Sequence, residues 1–117
     1  MFIVDGTNIS LSRGDTGAIE IAVDGYTFGE LDRAVFTIKS GSGAVVKEHY
    51  YQIVEGKFTV TFYNHDTDDL NAGGYNWDVR FVIHPYYDET GRIVDGDQVL
   101  TPNLPMSCTL LTVVGDI

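Results

Sequence analysis

The stretch Tyr75-Asn76-Trp77-Asp78-Val79-Arg80-Phe81-Val82-Ile83 decides the fold. Tyr75, Trp77, Val79, Phe81 and Ile83 share one face of an extended chain, opposite Asn76, Asp78, Arg80 and the following His84. Successive side chains of a strand point to opposite faces, so an apolar period of two marks a strand with one face in a core. Trp77 and Phe81 are expected to be buried there, together with Phe36 and Phe58 from other strands.

The same period extends in both directions. Ile9 and Leu11 alternate with Asn8, Ser10 and Ser12, and Ile19, Ile21 and Val23 form the next apolar face. Phe36 and Ile38 alternate with Val35, Thr37 and Lys39, and Val45 to Ile53 follows as a less regular strand rich in tyrosine. Phe58, Val60 and Phe62 alternate with Thr59, Thr61 and Tyr63, and Met106 to Val114 is apolar on both faces, as a central or covered strand would be. Arg13-Gly14-Asp15, Asp24-Gly25, Gly41-Ser42-Gly43 and Glu55-Gly56 supply the turns. Asp66 to Leu70 reads as one helical turn with Asp66 as its N-cap. Six or seven strands without interleaved helices predict an all-β sandwich or barrel, with residues 1–117 as one domain.

The corner Asp69-Leu70-Asn71-Ala72-Gly73-Gly74-Tyr75-Asn76-Trp77 narrows the class. In immunoglobulin-like sandwiches a tyrosine near the start of the sixth strand bonds back to the preceding corner, and the residue two positions on faces the core. Tyr75 and Trp77 fit those two places. The expectation is therefore an immunoglobulin-like antiparallel β-sandwich of about seven strands. It carries one long excursion, from His84 to Pro105, which contains Pro85, Pro102 and Pro105.

Composition excludes several function classes. Of 117 residues, 17 are acidic and 7 are Lys or Arg, a net charge of −10. Such a surface repels phosphate backbones and anionic lipid, so neither nucleic acid nor membrane is expected as a partner. The single Cys108 allows no intrachain disulfide and reads as a small buried thiol. The start, Met1-Phe2-Ile3-Val4-Asp5-Gly6, has no basic region followed by a long apolar stretch, so synthesis as a soluble cytoplasmic product is expected.

Nothing in the chain spells out catalysis. His49, His65 and His84 are far apart in sequence, with His49 and His84 read as exposed, and no nucleophile elbow, metalloprotease pair or phosphate loop occurs. Asn64, Asp66 and Asp68 stand at calcium-loop spacing, but Asp69 and Tyr75 occupy the places that need Gly and Glu. No catalytic residue, cofactor or metal is therefore assigned, and a non-enzymatic protein is expected. Arg13-Gly14-Asp15 spells an integrin tripeptide, but a turn between strands accounts for it.

The excursion is the segment that the sandwich does not require. Two short strands are expected to pair across Glu89-Thr90-Gly91-Arg92 as a protruding hairpin. Tyr86, Tyr87, Asp88, Glu89 and Arg92 are the candidate interface, since tyrosine and arginine serve as anchors between proteins. The partners expected are other structural subunits or further copies of the chain. Stacking of Tyr50, Tyr51, Tyr86 and Tyr87 on sugars is the alternative, as in a carbohydrate- or cell-surface-binding sandwich.

Two phrases carry a family resemblance. Ile9-Ser10-Leu11-Ser12-Arg13-Gly14-Asp15-Thr16, followed by Ile19-Glu20-Ile21, is one; Asp66-Thr67, Leu70 and Gly74-Tyr75-Asn76-Trp77-Asp78 is the other. Together, over roughly residues 12 to 83, they resemble phage and prophage structural domains such as the N-terminal immunoglobulin-like domain of baseplate upper proteins in tailed phages of Gram-positive bacteria. The resemblance implies a tail-associated assembly domain without a catalytic centre, located in the virion. It makes Arg13, Gly14, Asp15 and Thr16 a turn signature, and Asp66, Thr67, Gly74 and Tyr75 a structural corner with Trp77 behind it. The long excursion, and the lack of a fibre segment after Val114, depart from the family pattern.

Overall fold

The computed structural model describes residues 2–100 and the backbone of 109–114; Pro102, Pro105, Met106 and Cys108 lie outside the described residues. Nine strands and one helical turn follow in order: β1 (Phe2–Asp5), β2 (Asn8–Ser12), β3 (Gly17–Ala22), β4 (Arg33–Lys39), β5 (Val45–Gln52), β6 (Lys57–Phe62), α1 (Asn64–Thr67), β7 (Gly73–Tyr87), β8 (Ile93–Leu100) and β9 (Thr109–Val114). The large sheet runs β1-β2-β9-β7-β4-β5, with β8 also on β7, and the small sheet is β3-β6. All pairings are antiparallel except β2 with β9, which is parallel. The chain is an all-β, sandwich-like fold.

Alternation positions the core. From the large sheet come Ile9, Leu11, Ala34, Phe36, Ile38, Trp77, Val79 and Phe81; from the small sheet come Phe58, Val60 and Phe62. Aromatic rings knit the two layers: Phe36 lies 5.5 Å from Trp77 and 5.8 Å edge-on from Phe62, and Phe58 meets Phe81 edge-on at 6.0 Å. Edge-on and tilted contacts suit ring quadrupoles, which disfavour face-to-face overlap. Trp77 is buried, and its indole N–H donates to the Thr7 carbonyl at 3.0 Å, so the ring also ties the β1–β2 turn to the core. Trp77, Phe36, Phe58 and Phe81 are all buried, as their alternation predicts.

Several details differ from expectation. The described residues hold nine strands, in keeping with the count of about seven, with β1 before the first expected strand and β8 coming from the excursion. β1 is held by Phe2, whose ring lies 5.4 Å from Phe62 and so close over Gly17 that a Cβ there would meet it at 2.4 Å. The parallel β2–β9 pair, which joins the two ends of the chain, makes the large sheet mixed and not purely antiparallel. The central strand continues past Ile83 to Tyr87. The helical turn starts two residues before Asp66, with Tyr63 as N-cap. Asp66 instead sits at N3, where its Oδ2 accepts the Tyr63 N–H at 2.6 Å. An N3 carboxylate reaching back to the N-cap amide satisfies the same orphan donor by another route. His49 is half-buried rather than exposed.

Candidate functional site

The excursion forms a hairpin, but it does not protrude freely. β7 continues past its partner β4, whose last pair with it is Arg33 with Val82, and β8 runs alongside from Phe81 to Tyr87. The turn is local chemistry. Asp88 Oδ1 accepts the Thr90 hydroxyl at 2.6 Å, the Thr90 N–H at 2.9 Å and the Arg92 N–H at 3.0 Å, and Gly91 takes φ +84°. An Asp bonding its own following backbone pre-forms such a turn. These bonds, the Thr90 hydroxyl first, hold the Asp88 carboxyl below its ordinary value.

Beyond the turn the hairpin lies down on the outer face of the large sheet. Ile93 is buried against Val35 and Val82, with Tyr50 beside them, and the Ile93 N–H donates to the Tyr50 hydroxyl at 2.8 Å. That hydroxyl donates to Glu48 at 2.6 Å, and Glu48 also faces Arg92 at 3.5 Å and Arg80 at 3.7 Å. Burial, followed by the Glu48 hydrogen bond, pushes the Tyr50 hydroxyl above its ordinary value. The outward-facing Val35 and Val82 are covered apolar residues for this reason, and Arg92 braces the hairpin. Its side chain is 64% exposed, so the pair with Glu48 leaves much of it open at the surface.

Tyr86 and Tyr87 remain open, 54% and 48% exposed. They line a shallow cleft of about 240 Å³ with Leu31, Arg33, His84 and Pro85. Its base is rigid. Asp32, itself buried, accepts the His84 N–H at 3.0 Å and the Gly29 N–H at 2.7 Å, holding His84 at φ +50°. Asp97 binds the Tyr86 hydroxyl at 2.6 Å and His84 Nδ1 at 3.0 Å, which lowers its own carboxyl and raises the tyrosine. Val94 adds a further exposed apolar side chain on β8. Asp88 is committed to the turn, and Glu89 is exposed beside it.

No family model, curated protein or solved structure matches this chain.

The second set of expected residues makes separate local contacts. Thr67 is fully buried and its hydroxyl accepts the Gly14 N–H at 2.9 Å, while Asn64 donates from its side chain to the Gly14 carbonyl at 3.1 Å. The Arg13–Thr16 turn and the Asp66–Thr67 segment, some fifty residues apart in sequence, are therefore in direct contact. Gly14 at φ +79° and the Asp15 side chain, which accepts the Ser12 N–H at 3.1 Å, complete the turn. With its backbone docked on both sides, this tripeptide works as a structural turn. The Tyr75 hydroxyl donates to the Asn71 carbonyl at 2.7 Å, within the corner preceding its strand, and Gly74, second in that strand, pairs with Thr112 of β9.

Sequence reading missed the setting of Asp66. This buried carboxylate has His49 Nε2 at 3.2 Å and His65 Nε2 at 3.8 Å from its Oδ1. The three residues are spread over β5 and α1, and no local spacing joins His49 to the others. Among the described residues, no group of three His, Cys, Asp or Glu is arranged to hold a metal ion. No helix of the described residues is long and apolar enough to cross a membrane.

Proposed function

We propose that this chain is a non-enzymatic structural assembly domain of immunoglobulin-like type, joining other subunits of a phage or prophage particle through its β7–β8 hairpin. The observation that carries the reading is the pair Tyr86 and Tyr87, exposed on a hairpin braced by Ile93, Arg92 and Asp32. Aromatic anchors bind best when little freedom is lost on docking, and this support removes that freedom beforehand.

The immunoglobulin-like assignment draws support from strand order. β9-β7-β4-β5 faces β3-β6, as the G-F-C-C′ sheet faces B and E in variable-type domains, and Tyr75 stands where the tyrosine corner would. The phage reading draws support from the contact between its two signature phrases through Gly14 and Thr67.

Deleting the excursion would strip Ile93 from Val35 and Val82, so point substitutions are the cleaner probe. Sedimentation velocity should find the chain in complexes with itself or with neighbouring structural subunits. Tyr86→Ala with Tyr87→Ala should abolish these complexes while the circular dichroism spectrum stays that of the folded parent, even with the Tyr86–Asp97 hydrogen bond removed. Complexes that survive the double substitution would refute the hairpin as the interface.

A further inference from the structure

On the side of the sandwich away from β9, the edges of β5 and β6 leave an open groove of about 440 Å³. That volume lies within the range of small-molecule sites, roughly 300–1,000 Å³. Its lining comes from three elements: His49, Tyr50 and Tyr51 from β5, Thr59 and Thr61 from β6, and Tyr63, His65 and Asp66 at and within α1. Tyr51 forms the floor, stacked at 5.9 Å on Phe58 with its hydroxyl against the Thr61 backbone.

The groove has two kinds of wall. Tyr63 is 57% exposed and lies parallel to the His65 ring within 3°, centroids 5.8 Å apart, which makes a flat aromatic surface at one end. Behind it sits Asp66, whose side chain is 4% exposed and whose Oδ2 is fixed by the Tyr63 amide. Its Oδ1 is shared between the two histidines. His49 Nε2 is buried yet makes no aligned hydrogen bond among the described residues, despite its 3.2 Å approach to Asp66. Buried polar nitrogens are rarely left so, and the exceptions call for a specific explanation.

We infer that the β5–β6 groove is a binding site for a pyranose sugar. A pyranose has an apolar C–H face and a rim of vicinal hydroxyls, each of which donates and accepts. The C–H face suits the Tyr63 ring, and the hydroxyls suit the exposed His65 imidazole, which Asp66 backs from behind, and the Thr59 and Thr61 hydroxyls. The net charge of −10 disfavours an anionic ligand in the same place, while a neutral sugar feels no such repulsion. This site is separate from the hairpin cleft and goes beyond the assembly reading.

The test is an amide-detected magnetic resonance titration of the intact chain. The probes are methyl glycosides of glucose, galactose, mannose, N-acetylglucosamine and rhamnose. Saturable shifts are expected at Tyr51, Thr59, Thr61, Tyr63, His65 and Asp66 for at least one of them, with millimolar affinity. Tyr63→Ala should weaken that binding about tenfold, His65→Ala should weaken it as well, and Tyr63→Phe should retain it. Both positions are largely exposed, so a dispersed spectrum of each variant will show that the fold persists. The inference is overturned if no probe gives a saturable shift. It is also overturned if the shifts centre on Tyr86 and Tyr87, or persist undiminished in Tyr63→Ala.

Discussion

Thr67 shows how one hydroxyl can join distant parts of a chain. It is fully buried, and its oxygen is the acceptor for Gly14 in a turn whose φ of +79° suits glycine. Thr67→Val keeps the shape and removes the acceptor, leaving the Gly14 N–H without its partner. The expected loss is about 1–3 kcal/mol in urea unfolding, with Thr67→Ser close to the parent. Trp77 acts by bulk as well as by its indole bond to Thr7. Trp77→Ala should cost about 3–5 kcal/mol, read as a lowered denaturation midpoint; a loss under 1 kcal/mol would contradict the packing described for Phe36 and Trp77.

Among the elements, the β7–β8 hairpin depends on a close approach at Gly96, which pairs with Pro85. A Cβ there would stand 2.4 Å from a Val82 methyl carbon and 3.0 Å from the Ile83 carbonyl oxygen. The backbone oxygen cannot step aside as a side chain can, so Gly96→Ala should lower stability by about 1–3 kcal/mol. It should also raise amide exchange at Ile93. Acid should loosen the same hairpin within a defined window. Hydrogen bonds from Thr90 and its neighbours lower Asp88 from 3.8, and those from Tyr86 and His84 lower Asp97 likewise. A carboxylate depressed in the folded state lends its full support above the unfolded value and loses it as pH falls through the folded value. The midpoint of the pH-dependent shift of the Thr90 and Arg92 amide resonances, whose N–H groups bond Asp88, should therefore lie below 3.8. A midpoint above 3.8 would contradict the bonded turn.

At the scale of the whole molecule, charge and topology set the terms of association. Copies carrying −10 each repel one another, and salt shortens that repulsion to about 8 Å at 0.15 M. Under the assembly reading, self-association through the tyrosine cleft should strengthen as salt rises to that level, measured by sedimentation velocity. Weakening over the same range would point to ion pairs as the cement. The all-β class and the buried ring set of Phe36, Phe58, Trp77 and Phe81 were determined by the sequence alone, because the period of two is a local property that survives in any arrangement of strands. The turn at Glu55 and Gly56 was legible for the same reason: its geometry depends on two adjacent residues, both with positive φ. Only the tertiary structure decided the rest. Whether β2 met β9 in parallel, whether Ile93 lay down on Val35 and Val82, and whether His49 reached Asp66 all depend on contacts between residues far apart in sequence. Alternation tells each strand which face is apolar, but carries no information about which other strand will cover it.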